Sequence, residues 1–268
     1  MKANLSQLPH FPAFTWSQDV LNPILMSLRL KQGKLLGRME TLQPEFKEQI
    51  QEEMIKLDAF GHFRIEDHLD LTGNETNNEL ARFLVWFNKP GLDRLLKAGI
   101  AHLWSLSISP FGEDSGIIAR IITNIQLAKA DGTPLRYYSM SDQIAKEKSE
   151  YEFIVQQALQ GSLDITIWLQ WFLSCLERAY DSSEIISAPI IERAHFWNTQ
   201  KHNTFNKRQQ AILNKLLAGF NEKLTTTVYA KLTNCARDTA LRDITDLLLK
   251  GILIKQGGLG KNTEYRLK

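Results

Sequence analysis

The fold class predicted is mainly α, a helical body followed by a small basic module of three helices and a hairpin, and three observations predict it. Apolar residues recur at helical spacing through most of the stretch from Trp16 to Leu176. Charge is split along the chain. Through Gln200 there are 19 Lys and Arg against 25 Asp and Glu, and from Lys201 onward 13 against 5, so a net charge of +2 hides an acidic body and a basic tail. All six tryptophans precede Gln200, and the tail ends in two short β-like runs around a glycine-rich turn.

Composition narrows the classes further. With 268 residues, 43% apolar and 23% charged, collagen-like, disordered and disulfide-scaffold chains are excluded. The two cysteines, Cys175 and Cys235, have no Cys or His at metal-ligand spacing, which suits a reducing cytoplasm and predicts no metal site. Met1 to Phe14 lacks the basic start and apolar stretch of a signal peptide, and no apolar run approaches the ~20 residues of a membrane span. A cytoplasmic protein with no membrane partner is the expectation. A basic terminal module on an acidic body is a common mark of a nucleic-acid partner, although a solubilising surface has the same charge signature.

In chain order, Leu21, Leu25, Leu28, Leu35 and Leu36 predict one helix over Trp16 to Met39, or two joined near Gly33. From Glu40 to Asn78 the periodicity weakens. A charged helical stretch, Glu45 to Leu57, gives way to what reads as irregular chain or a short hairpin near Gly73-Asn74. Leu80, Phe83, Leu84 and Phe87 then form one stripe, ended by Pro90-Gly91, and Leu95, Leu96, Ile100, Leu103 and Trp104 form the next. Ile118, Ile121, Ile122 and Ile125 mark a nearly all-apolar helix expected to be the most buried one. Two more stripes follow, at Tyr151, Ile154, Val155 and Ala158, and at Trp168, Trp171, Phe172, Cys175 and Leu176. The polar run Asn198 to Asn203 is the linker candidate, giving regions 1–78, 79–198 and 206–268.

In the tail, Ile212, Leu213, Leu216, Leu217 and Phe220 mark a first helix, Thr226 to Leu232 a short second, and Ala236, Ala240, Ile244, Leu247 and Leu248 a third stopped by Gly251. The hairpin follows, Gly251 to Lys255 and Glu264 to Leu267 around Gly257-Gly258-Leu259-Gly260-Lys261. Three helices and a hairpin in that order form a winged helix-turn-helix, in which the third helix enters the major groove. The run Thr239 to Ile244, with Leu247-Leu248 and Lys250 to Leu253, resembles winged-helix modules of bacterial regulators of the DeoR type. That resemblance implies that Arg237, Thr239 and Arg242 face DNA, with Lys231, Lys261 and Asn262 on phosphates. Winged helices also dock proteins, and Asp238, Asp243 and Asp246 on or near the third helix are expected to repel phosphate. Both partners therefore stay open, as does a homodimer.

The body's most informative stretch is Leu103 to Arg120: an apolar helix end, a Pro-containing loop with two acids, and the start of the next helix. It resembles the signature of Fic proteins, which transfer AMP or a related group to a target hydroxyl and read His-Pro-Phe-x-Asp/Glu-Gly-Asn-Gly-Arg-x-x-Arg. Pro110, Phe111, Glu113, Gly116 and Arg120 match; Ser109, Asp114, Ser115 and Ile117 do not. Glu79 to Pro90, Leu95 to Trp104 and Tyr137 to Ser141 are similar to family segments too. Phe14-Thr15-Trp16, Gln32 to Met39 and a tail beginning Asn206-Lys207-Arg208-Gln209 resemble the subgroup with an N-terminal helical region and a C-terminal winged helix.

The departures bear on the chemistry that the resemblance implies. Ser109 stands where the family has its histidine general base, and a serine hydroxyl does not titrate near neutrality. Asp114 puts a carboxylate where an anion would rest, and Ile117 removes an arginine. Phe111, Glu113, Gly116 and Arg120 are what remains of a nucleotide site, Glu113 at the metal-holding acid. The 40 to 78 stretch also lacks the Ser-x-x-x-Glu-Gly-Asn inhibitory helix of relatives, with Phe63-Arg64-Ile65 a weak candidate for a remnant of their docking hairpin. The expectation is a degenerate, catalytically silent Fic-like protein, a pseudoenzyme without cofactor, acting through its winged helix on DNA or a protein. The alternative is an active adenylyltransferase using ATP and magnesium, with His102 or His68 as an unrecognised base. His102, on a helix, reads more readily as a buried or capping histidine.

Overall fold

A computed structural model describes residues 4–64, 77–109, 114–134, 136–220, 222–257 and 263–268. Among these there are eleven α-helices and one two-stranded sheet. The chain divides into two compact units, Met1–Ile186 and Ser187–Lys268. No helix of the described residues is long and apolar enough to cross a membrane.

In the first unit a short 3-10 turn, Leu5–Gln7, is followed by α1 (Gln18–Glu40), a single helix that runs through Gly33. The helix α2 (Pro44–Arg64) contains the charged stretch Glu45 to Leu57 expected to be helical and corrects only the irregular chain expected directly after it. It begins on a proline, whose fixed φ suits the first helical position, and extends well past Leu57. The stretch around Gly73-Asn74 lies outside the described residues. Next come α3 (Asn77–Asn88), α4 (Arg94–Ile108), α5 (Ser115–Asp131), α6 (Met140–Lys146), α7 (Lys148–Leu159) and α8 (Thr166–Thr199), the last of which spans the boundary between the units in sequence. The short α6 was not legible in the periodicity.

Helix α4 is the centre of this unit. Asp93 caps it, its carboxylate accepting from the Leu95 and Leu96 amides at 2.8 and 3.3 Å, and every residue from Leu95 to Ile108 is buried. At Gly99 an added Cβ would lie 2.9 Å from Leu169 and Phe172, so α8 packs directly on the α4 backbone. The Gly99 carbonyl accepts the Trp168 indole N–H at 2.9 Å. Trp104, on the same helix, is surrounded by Phe11, Phe14, Phe83 and Trp86 at 5.0 to 6.0 Å between ring centres. In α3 the inward stripe is therefore Phe83, Trp86 and Phe87, and Leu84 is exposed.

The isoleucine-rich helix α5 is not the most buried one. Ile121 and Ile125 are each 43% exposed, whereas Ala119, Arg120, Thr123, Gln126 and Leu127 point inward. Burying polar groups is tolerable there because they find partners. Gln126 donates to the Phe87 carbonyl at 3.0 Å. Thr123 donates its one hydroxyl proton to the Ala119 carbonyl at 2.8 Å, so it can only accept from His102 Nδ1, also at 2.8 Å. His102 is thus the Nδ1–H tautomer, and its Nε2 accepts from the Tyr151 hydroxyl at 2.9 Å. Complete burial and the positive field of Arg120 lower its pKa to about 3.

Helix α2 buries Phe46, Ile50 and Met54, spaced four apart on one face, and one acid ties it to its neighbours. Asp58 accepts from Arg136 at 2.7 Å, Asn124 at 2.8 Å and the Ser139 hydroxyl at 2.5 Å, joining α2 to α5 and to the segment before α6. Three residues on, a Cβ at Gly61 would lie 2.6 Å from the backbone of Ser141 and Asp142, so α2 meets α6 at van der Waals limit.

The second unit has α9 (Lys207–Leu217), α10 (Thr226–Thr233) and α11 (Arg237–Leu249), then β1 (Leu253–Gln256) paired antiparallel with β2 (Glu264–Leu267), Leu253 opposite Leu267. A capping box between Asn206 and Gln209 starts α9. Asn234 ends α10 in the left-handed region (φ 48°), and Gly251 does the same after α11 (φ 68°). The Tyr265 amide donates to the Leu224 carbonyl at 2.8 Å, a single bridge that gives the hairpin a third partner. Ile212, Leu213, Tyr229, Ala240, Ile244, Leu247 and Leu253 form the core. Order and packing are those of a winged helix-turn-helix.

Two outcomes are expected. Asp58→Ala strands the largely buried Arg136 and should cost about 2–3 kcal/mol, read as a lowered urea midpoint. His102 titrates near 6.5 in an unfolded chain and about 3 when folded, so the unfolded state binds the proton between those values. Its contribution is complete above pH ~6.5 and falls with pH below that, by up to about 1.4 kcal/mol per unit. Denaturation of the parent and of His102→Asn at several pH values should show this slope only in the parent.

Candidate functional site

Helix α4 ends at Ser109, whose backbone is left-handed (φ 39°, ψ 52°) and whose amide donates to the Ser105 carbonyl at 3.1 Å. That conformation is costly for a residue with a Cβ, and tertiary contacts must hold it. Ser109 is 5% exposed, and its Oγ lies 3.1 Å from Oγ of Ser115, itself buried as the first residue of α5. Each hydroxyl thus supplies a partner for the other across the loop. Asp114, before Ser115, is exposed and makes no side-chain hydrogen bond to the first turn of α5. A carboxylate there sits at the positive end of the helix dipole and opposes the approach of a second anion.

Of the expected nucleotide-site remnants, Phe111 and Glu113 lie outside the described residues, as does His68. Gly116 is buried in the first turn of α5, and Ile117, on the same turn, is 40% exposed. Arg120 is 1% exposed, a guanidinium held in the core beside His102. The geometry brings Ser109 and Ser115 together and puts His102 deep within the bundle, fully bonded. Among the described residues no group of three or more His, Cys, Asp or Glu could hold a metal ion.

The second candidate surface is on the winged helix. Lys231, Arg237 and Arg242 are exposed and Thr239 is half-buried, while Lys261 and Asn262 lie outside the described residues. The three acids expected to repel phosphate do not share one environment. Asp243 is 7% exposed and accepts from Arg208 at 2.7 Å, Asn206 at 2.8 Å and the Tyr229 hydroxyl at 3.1 Å. Burial alone would raise its pKa, but those donors outweigh it and hold the carboxyl below its ordinary range. Asp246 pairs with Lys250 at 2.5 Å and accepts from Gln209 at 2.7 Å. Asp238 alone of the three is exposed without an ion pair among the described residues. Arg208, one of the tail's thirteen basic residues, is spent internally on Asp243.

Residues 5–72 match the model of a domain of unknown function (DUF4172). No curated protein matches the chain. Among solved structures, the crystal structure of a Fic family protein from Desulfovibrio desulfuricans G20 superposes with a TM-score of 0.52 at 12% identity, over 97% of this chain and 98% of that one. Body and tail together are thus covered by a single solved chain at an identity that speaks to fold. The protein has a Fic-like fold, a helical body followed by a winged helix element.

Proposed function

We propose that this chain is a Fic-fold protein without AMP-transferase activity that acts through its winged helix on duplex DNA. The observation that carries the reading is the sorting of charge around α11: Asp243 and Asp246 are neutralised by Arg208 and Lys250, while Lys231, Arg237 and Arg242 stay exposed. With those two acids neutralised, Asp238 is the one acid of the three that still faces solvent on α11, and Lys231, Arg237 and Arg242 outnumber it, a balance that suits a duplex-binding surface. Arg242 has the donor geometry to read a guanine edge, and Lys231 would add affinity without sequence information.

Silence of the body is supported by Ser109. A general base must take a proton near neutral pH, and here the motif position is a buried hydroxyl bonded to Ser115. His102, the alternative base, is enclosed between Thr123 and Tyr151 and cannot reach a target hydroxyl.

A protein partner is the second reading, and the exposed apolar residues Leu241 and Leu249 on α11 favour it. Fluorescence anisotropy with a mixed-sequence duplex separates the two. Binding that weakens steeply between about 50 and 200 mM salt, and that falls at least ~10-fold in Arg237→Ala/Arg242→Ala, supports DNA. Binding unchanged in that double variant sinks it, and capture of a protein lost in Leu241→Ser/Leu249→Ser would replace it. In parallel, ATP labelled at the α-phosphate, supplied with magnesium, should leave no label on protein; transferred label would overturn the silent reading.

A further inference from the structure

The outward face of α5 is the most unexpected surface of the first unit. Ile121 and Ile125 are exposed on a helix that buries Arg120, Thr123 and Gln126, an inversion that costs apolar burial. They lie in an open cavity of about 570 Å³, with Met54 and Ile55 of α2 across from them. That size is within the range of small-ligand sites.

The same cavity carries Arg94, Lys129 and Arg136. Arg136 is matched by Asp58, the cavity's acid, which Asn124 and Ser139 also engage. Arg94 and Lys129 have no carboxylate partner among the described residues. Arg94 instead donates to the Lys129 carbonyl, and the Lys129 ammonium lies 4.9 Å from the Phe87 ring centre. Lys97, one turn along α4, has its pKa lowered by burial and by these same two cations. Two cations without a carboxylate partner therefore line the trough, positioned by a ring and a carbonyl instead of by acids, with Lys97 buried close enough to feel both.

We propose that this trough binds a small amphipathic anion, its apolar body over Ile121 and Ile125 and its single charged head, carboxylate or phosphate, between Arg94 and Lys129. The apolar floor alone would accept any hydrophobe, and the cation pair alone any anion. Their juxtaposition selects a molecule having both, and it lies at the opposite end of α5 from the Ser109–Ser115 loop. Met54, Ile55 and Asp58 fall inside the segment matched by the domain of unknown function, which thereby acquires a part in a binding wall.

Calorimetric titration of the full chain tests this with decanoate, decyl phosphate and, as the uncharged control, decanol, each below its micelle concentration. At least one of the two anions should bind, at least tenfold more tightly than decanol, and the stronger of the two identifies the head group. Arg94→Gln/Lys129→Gln should weaken the anion at least tenfold and leave decanol unchanged, and Ile125→Asn should weaken all of them. Arg237→Ala/Arg242→Ala should change nothing, which keeps this site separable from the winged helix. Circular dichroism of each variant checks that it is folded, and Lys129→Gln alone serves if the double variant is not. The proposal is overturned if neither anion binds, if decanol binds as tightly, or if a folded cation variant retains full affinity.

Discussion

Everything in the first unit is arranged around a helix that is buried on all sides. From Leu95 to Ile108 no residue of α4 faces solvent, so the partners of its polar side chains have to come from within. Ser105 and Ser107 bond back to the His102 and Trp104 carbonyls at 2.9 and 2.8 Å. His102 has no such local route and draws Thr123 from α5 and Tyr151 from α7 into place. The polar inner face of α5 is in part a response to this demand. Gly99 has the complementary role, removing a side chain so that Leu169 and Phe172 of α8 can close over the helix.

This explains where periodicity could be read directly and where it misled. The stripes at Leu95 to Trp104 and Trp168 to Leu176 are buried as expected, because apolar side chains there meet apolar neighbours. The isoleucines of α5 carry an equally strong apolar signal, yet Ile121 and Ile125 face outward. Nothing in spacing reveals that Thr123 and Gln126 have partners waiting in other helices, and partners decide which face of a mixed helix turns inward. Helix α2 contains the charged stretch from Glu45 to Leu57 read as helical, and its continuation to Arg64 is what spacing did not show. Phe46, Ile50 and Met54 form its buried face, while Asp58, which looks like any other surface acid in sequence, ties it to α5 and to the segment before α6.

The basic tail shows how far a charge count goes. The excess of thirteen over five marked out the tail, and its apolar spacing together with the glycine-rich turn gave the order of elements. It could not tell which charges remain available. Asp243 is the junction of the three helices, bonded to Asn206 and Arg208 at the start of α9 and to Tyr229 of α10, so it is a structural acid despite sitting on the third helix. Departures from the Fic signature were legible one residue at a time, but the mutual bonding of Ser109 and Ser115 was not, because it depends on the left-handed turn that ends α4.

Asp58 has one more implication. Its carboxylate is the strut between α2 and the far end of α5, and the same two helices form opposite walls of the isoleucine-lined cavity. The seating of α2 and the existence of the cavity are therefore one equilibrium. Whatever seats α2 completes the cavity, and by thermodynamic reciprocity whatever fills the cavity holds α2 in its seat.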